Sequence, residues 1–395
     1  MFAVRRRFAG LMLMLCLAGT QVQAKVAALI PSPPSIGVES YVLVDADSGK
    51  VLAAKNPDET LHPASLTKMM TAYIAESELA AGNINRDSKV RVSEKAWSIG
   101  GSTMFLDVGD RVSVEELLRG IIIVSGNDAC VAVAEHIAGT EGAFAQIMNN
   151  MAKKLTLNNT HFVNASGWPA NDHYSTARDL ALLSKHIIQD FPDYYGIYSE
   201  KYYQYGINKQ TGKPLARQPN RNRLLWSNPY VDGLKTGHTE ATGYHLAATA
   251  ERDGRRLITV LLGAKSEKQR ADEAQALLTY GFRFFENVSV EKGNKPLRTE
   301  KVWKGDSSEL TVGIANDLIV TVPRGTSKQV KVIMAVQKNL EAPIEKGQQV
   351  GILKVMLDDE DLQEVPLIAQ QSVEKGGFFK RLLDSILLFF HGLFN

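Results

Sequence analysis

Apolar and polar positions change their period three times along the chain, and those changes predict where its elements lie. Over residues 40–55, SYVLVDADSGKVLAAK, two short apolar runs flank Asp47-Ser48-Gly49, which predicts two strands joined by a turn. From Ser65 to about Ile188 helical spacing dominates, with caps and breaks at Gly82, Gly109, Gly139 and Pro169. Residues 191–226 have no clear period and are rich in Tyr, Asn, Arg and Pro. Two further strand runs, Tyr244–Ala250 and Leu257–Leu262, meet at Asp253-Gly254, and a helix pattern runs from Glu267 to about Phe285. Strands at both ends with helices between them point to one α/β domain whose sheet joins sequence-distant strands. Beyond Val288 come Val302-Trp303, Leu318–Val322, Val330–Val336, Val350–Leu357 and Val365–Ala369, separated by Gly, Pro, Asn and Asp. That texture predicts a small all-β sandwich, a spacer or partner-binding module with no catalytic cluster of its own.

The two ends carry different signals. Arg5, Arg6 and Arg7 precede an apolar run from Phe8 to Leu17 and the small-residue site Val22-Gln23-Ala24, the pattern of a secretory signal cleaved after residue 24. The run is too short to span a bilayer, which needs about 20 apolar residues. Cleavage leaves Cys130 as the one cysteine, so no internal disulfide is expected. At the other end, FFKRLLDSILLFFHGLF (378–394) places Lys380, Arg381, Asp384, Ser385 and His391 on one arc of a helix. Leu388 interrupts that arc, and the opposite face carries Phe379, Leu382, Leu383, Ile386, Phe389, Phe390 and Leu393. Residues 376–395 therefore read as an amphipathic helix lying in a membrane surface.

Composition narrows the classes. The 395 residues are 44% hydrophobic and 22% charged, which suits two or three globular domains and excludes a disordered or collagen-like chain. Net charge is +2, but the leading arginines supply that excess, so charge gives no support to a nucleic-acid partner. The cluster Tyr194, Tyr195, Tyr198, Tyr202, Tyr203 and Tyr205 is expected to pack over a substrate groove. His136, His161, His186 and His245 show no metal spacing, and no cofactor is implied.

The chemistry-bearing pattern is Ser65-Leu66-Thr67-Lys68, Ser125-Gly126-Asn127 and Lys235-Thr236-Gly237. S-x-x-K alone is weak, since it recurs at Ser289–Lys292 and Ser372–Lys375, but only Ser65 opens a clear helix. Residues i and i+3 share a helix face, so Lys68 can sit beside the Ser65 hydroxyl. Free N–H groups at the helix start favour the negative charge of an attacked carbonyl. Lysine is a poor base at neutral pH unless burial or a second cation lowers its pKa, and Lys235 is the expected cation. Ser125 offers a relay hydroxyl and Asn127 an amide to hold a peptide. The strand opening at Lys235 can pair with an extended substrate while Lys235 and Thr236 meet a carboxylate and Gly237 leaves room. Together these describe nucleophilic acyl transfer without a histidine base.

The triplet resembles the penicillin-recognising serine enzymes. HPASLTKMMTAYIA, LLRGIIIVSGNDACVAVAEHIAG, YSTARDLALLSKHII, VDGLKTGHTEATGYHLAATA and YGFRFFE closely resemble the type-5 penicillin-binding proteins, D-alanyl-D-alanine carboxypeptidases of the bacterial envelope. The likeness implies a serine transpeptidase/β-lactamase-like α/β domain over 25–288, a β-sandwich over 289–372 and a membrane-anchor helix over 376–395, on the periplasmic face of the inner membrane. It implies Ser65 as nucleophile, Lys68 as base, Ser125, Asn127 and Lys235 as relay and holding set, and the N–H groups of Ser65 and His238 as oxyanion hole. Arg221 and Arg270 match arginines near the substrate carboxylate. The implied partners are a peptidoglycan pentapeptide and β-lactam inhibitors. The chain departs from the pattern at Trp168-Pro169, where an aliphatic residue is expected, and in the longer basic stretch KQTGKPLARQPNRNR. A β-lactamase, a DD-endopeptidase and a non-catalytic peptidoglycan-binding protein remain as alternatives. Asp179, three residues after Thr176, is expected to complete a helix capping box, with a role in deacylation as the alternative.

Overall fold

The computed structural model of the protein describes residues 30–207 and 210–394. The expected signal over residues 1–24 lies outside the described residues. A five-stranded antiparallel sheet runs in the order β2 (Val51–Lys55), β1 (Ser40–Asp45), β5 (Arg255–Ala264), β4 (Gly243–Arg252), β3 (Val231–Thr239). As expected, strands from both ends of the first domain meet, here as β1 beside β5. Register explains where the chemistry points. Ala54, Val42, Val260, Ala247 and Lys235 lie opposite one another in a row across all five strands, so their side chains share one face. Val42, Val260 and Ala247 pack into the helical core, and Lys235 is therefore aimed into it too. The alternate residues, Leu43, Leu261 and Leu246, face the helix α6 (Glu267–Phe284) on the other side.

The helical layer comprises α1 (Lys68–Ala80), α2 (Val114–Ile122), α3 (Asn127–Ala138), α4 (Glu141–Lys154) and α5 (Ala177–Asp190). Ten of the thirteen residues of α1 are buried, so it is a central helix enclosed on nearly every side. The helical spacing holds less continuously than its period predicts. Lys89–Arg91 pairs with Arg111–Ser113, and residues 155–176 leave the helix to form a loop across the start of α1. Gly82 and Gly139 end helices with φ of 75° and 76°, as their positions predict. The tyrosines do not pack over a groove. Tyr195 and Tyr198 stack under β3 and join the helical core, with Tyr195 donating to Asp232 and Tyr198 to Glu76. Asp179 makes only half a capping box. Its N–H donates to Thr176, while its carboxylate accepts from Asn159 N (2.8 Å) and the Thr160 hydroxyl (2.7 Å) to tie down that loop.

The C-terminal β domain pairs β6 (Phe285–Glu291) with β9 (Leu318–Pro323) and sets five strands in the order β7 (Arg298–Lys301), β8 (Glu309–Gly313), β12 (Glu360–Ala369), β11 (Gln349–Leu357), β10 (Val330–Val336). Val302 and Trp303 are buried there but sit outside the regular strands. The β1–β2 turn meets this domain through Ser48 and Thr321, whose hydroxyls lie 2.6 Å apart. Helix α7 (Phe378–Phe394) lays its polar side on the β domain, where Asp384 accepts from Lys304 N at 2.6 Å and His391 meets Trp303. Its Phe379, Leu383 and Phe389 are 84%, 57% and 66% exposed. Among the described residues no helix is long and apolar enough to cross a membrane.

Glu76 in α1 is the core's titratable cost. Burial lifts its carboxyl from 4.5 to about 8. Between those values the folded state binds the extra proton, so stability falls as pH rises through the window. Glu76→Gln is accordingly expected to gain Tm relative to the parent between pH 5 and pH 8.5, as read by thermal unfolding. Parallel Tm curves for the two proteins contradict this.

Candidate active site

Ser65 sits in a single 3-10 turn, Ala64–Thr67, that feeds directly into α1. The turn is entered through Ala64 at φ 49°, whose N–H donates to Nδ1 of His62 at 3.1 Å. One turn on, Lys68 Nζ lies 3.0 Å from Ser65 Oγ and donates to the Ser166 carbonyl at 2.5 Å. Lys68 is 1% exposed. Burial, aided by the Arg221 charge and opposed by Cys130 and Asp128, pushes its pKa down to about 8. Arg221 is thus a further cation acting on Lys68, beside the expected Lys235, whose own pKa the Lys68 charge lowers.

Ser125, in the segment 123–126 between α2 and α3, takes a left-handed conformation, φ 63°, a strain of about 1 kcal/mol held by its surroundings. Asp128, which the sequence motifs did not flag, builds that surround by accepting from Met104 N and Leu106 N. Its only sequence signal is a carboxylate in the first turn of a helix whose next six residues, Ala129–Ala134, are apolar. Lys235 Nζ donates to Ser125 Oγ at 2.9 Å and to the Thr236 carbonyl at 3.0 Å. Burial first, then the neighbouring Lys68 and Arg221 charges, hold Lys235 well below the ordinary lysine range. Asn127 donates to Gly100 O at 2.7 Å, which fixes the loop opposite β3.

Strand β3 is an edge strand, and it crosses the start of α1 at Gly237. A Cβ there would stand 3.0 Å from Pro63 O and 3.3 Å from Ser65 N, so glycine permits the close approach. Ser65, Ser125, Asn127, Thr236, Gly237, His238, Arg221 and Arg270 all line one cleft of about 700 Å³, with Lys68 and Lys235 beneath its serines. The two arginines differ. Arg221 is exposed and donates to Ser102 Oγ at 2.8 Å. Arg270 is buried, pulled down to about 10 by desolvation, and braces Gly237 O and Arg221 O. Trp168, His238 and Tyr244 supply aromatic wall. Cys130 lies behind the lysines, fully buried, its thiol pushed up to about 12 by desolvation. A larger groove, about 1290 Å³, runs between α6 and the β domain and holds none of the motif residues. Among the described residues no three His, Cys, Asp or Glu side chains are grouped to hold a metal ion.

A serine with a buried lysine beside it, a second serine–lysine pair and an edge strand across the mouth define a penicillin-binding-protein fold and site. Residues 27–266 match the family model described as D-alanyl-D-alanine carboxypeptidase, and residues 285–375 match the penicillin-binding protein 5 C-terminal domain. The chain belongs to the D-alanyl-D-alanine carboxypeptidase family. It is 46% identical to D-alanyl-D-alanine carboxypeptidase DacC of Escherichia coli K12, over 92% of this chain and 90% of that one. It is 42% identical to DacA of the same organism, over 94% and 92%. Penicillin binding protein 5 from Haemophilus influenzae superposes with a TM-score of 0.83 at 41% identity, covering 87% of this chain and 100% of that chain.

Gly167 tests the packing behind Lys68. At φ 77° it lies so close to α1 that a Cβ would fall 1.9 Å from Ala64 O and 2.8 Å from Thr67 Oγ1. Gly167→Ala should lower Tm and slow labelling by a fluorescent penicillin at least tenfold, since the Ser166 carbonyl must move with it. Unchanged labelling and Tm would show that this contact does not constrain the site.

Proposed function

We propose that this chain removes the terminal D-alanine from peptidoglycan pentapeptides through an acyl-enzyme on Ser65, and that β-lactams trap the same serine. The observation that carries it is Lys68 Nζ, 3.0 Å from Ser65 Oγ and stripped of water. A neutral amine there keeps one N–H on Ser166 O and turns its lone pair to the serine hydroxyl. Lys68 takes the proton as Ser65 Oγ bonds to the carbonyl carbon of the penultimate D-Ala. The oxyanion meets the N–H groups of Ser65 and His238, at a helix start where no solvent has to reorganise. Ser125 accepts from Lys235, which frees its own O–H to protonate the departing D-Ala nitrogen as the peptide C–N bond breaks, and the proton taken up by Lys68 replaces the one Ser125 gives. Water then attacks the ester and returns a proton, releasing the tetrapeptide and Ser65. Asn127 and the β3 edge hold the extended peptide, while Thr236 and Arg221 face its terminal carboxylate and Arg270 holds Arg221 in place.

On this reading residues 25–288 carry the chemistry and residues 289–372 form the β module. The chain is exported after cleavage at residue 24 and held at the periplasmic face of the inner membrane by residues 376–395. The support for the anchor is that α7 turns its polar side to the protein and leaves Phe378, Phe379, Leu382, Leu383, Phe389 and Phe390 exposed.

Two experiments test these proposals. D-Ala release from a peptidoglycan pentapeptide should occur with the mature chain and disappear with Ser65→Ala. Release by neither protein sinks the reaction, and release by both sinks the nucleophile. Rapid turnover of a penicillin adduct would instead favour a β-lactamase. Deleting residues 376–395 should move the protein from the membrane pellet to the soluble fraction of broken cells, and a truncated protein that still pellets removes the anchor.

A further inference from the structure

Ser166 O receives the Lys68 ammonium, yet it belongs to a loop, and something must hold that loop against α1. Within the loop, Asn164 Oδ1 gathers the N–H groups of Ser166, Gly167 and Trp168 into a tight turn. Two side-chain bridges then cross to α1. Thr71 Oγ1 donates to Ala165 O at 2.6 Å, and Thr67 Oγ1 lies 2.8 Å from His173 Nε2. His173 is 3% exposed and wedged between the rings of His62 and Phe162. Its other nitrogen, Nδ1, accepts from Val163 N at 3.3 Å. A nitrogen that accepts a backbone N–H carries no hydrogen, so the proton is on Nε2 and donates to Thr67.

We infer that His173 is a positioning residue. Held as a neutral imidazole between Val163 N–H and the Thr67 hydroxyl, it clamps the 163–168 loop onto α1 and so keeps Lys68 dry and aimed at Ser65. Protonation at Nδ1 would set an N–H against the Val163 N–H and undo the clamp. The groups around the imidazole resist that protonation. Burial comes first, then the charges of His62, His161 and Lys68, which together hold its pKa down to about 3. Lys68 in turn faces Cys130, Arg221, Asp128 and Lys235. Neither clamp residue touches the cleft: the lining next to them is Ser65, Ser166 and Gly167. His173 therefore acts through Lys68. The clamp sets the basicity of Lys68 by keeping water out, and loosening it lets the lysine return toward its ordinary value near 10.5.

This inference rests on the roles proposed above for Ser65 and Lys68. Its test is the pH dependence of acylation by a fluorescent penicillin, from pH 6 to 10, on the full mature chain. His173→Ala should react about eightfold more slowly at pH 7.5, with its half-maximal pH about one unit above the parent's. Thr67→Val removes the other half of the bridge at little change in volume and should shift the midpoint the same way. His173→Gln, which can donate to Thr67 and accept from Val163, should restore most of the rate. A uniform loss of rate with the midpoint unmoved in both His173→Ala and Thr67→Val overturns the inference. Adduct formation on Ser65→Ala, or a parent without a midpoint near pH 8, would count against the roles of Ser65 and Lys68 instead.

Discussion

Two lysines buried with no carboxylate at hydrogen-bonding distance among the described residues are the constraint on which the rest of this structure depends. Lys68 and Lys235 are each almost fully enclosed, and each is hydrogen-bonded to one serine hydroxyl and one backbone carbonyl. An ammonium in that setting loses its hydration and gains no full counter-charge, so the protein holds it closer to neutral instead. Carboxylate partners at hydrogen-bonding distance would have made better salt bridges and worse bases.

The fold meets that demand with secondary structure on three sides. The 3-10 turn and the start of α1 supply Ser65 and Lys68 one turn apart, α3 begins two residues after Ser125, and β3 brings Lys235 in from the opposite direction. The row Ala54–Val42–Val260–Ala247–Lys235 shows why a lysine on an edge strand can be buried: its position in the pleat points it into the helical layer. Close approach is then set by Gly167 against Ala64 and Gly237 against Pro63. A closed sheet edge would leave no place for an extended peptide, so β3 stays open on the cleft side.

Much of this was legible in the sequence. The hairpin at Asp47-Ser48-Gly49, the strand pair around Asp253-Gly254, the helix from Glu267 and the all-β texture past Val288 follow directly from local period and turn chemistry. The three motifs and their order marked the residues that the cleft brings together. Ser166 was hidden because it contributes a backbone carbonyl, which carries no residue-type signal. Asp128 and His173 were hidden for a related reason: they act on backbone N–H groups and on a neighbour's hydroxyl, contacts made across 10 to 106 residues of chain. The tyrosines misled because an aromatic cluster beside basic residues resembles a binding surface, whereas Glu76 and Asp232 give Tyr198 and Tyr195 polar partners inside the core. Helical period ran on across residues 83–113 because amphipathic spacing alone does not mark a short paired segment such as Lys89–Arg91.

Because a neutral Lys68 is the proposed base, the most direct measurement is the rate of Ser65 acylation by a penicillin as a function of pH, with the modified serine identified by peptide mass. A burial-depressed lysine predicts a rate that climbs about tenfold per pH unit below 7.5, is half-maximal near pH 8 and then levels. A profile flat from pH 6 to 9, or one centred near pH 6.5 as for an exposed histidine, would contradict a lysine base.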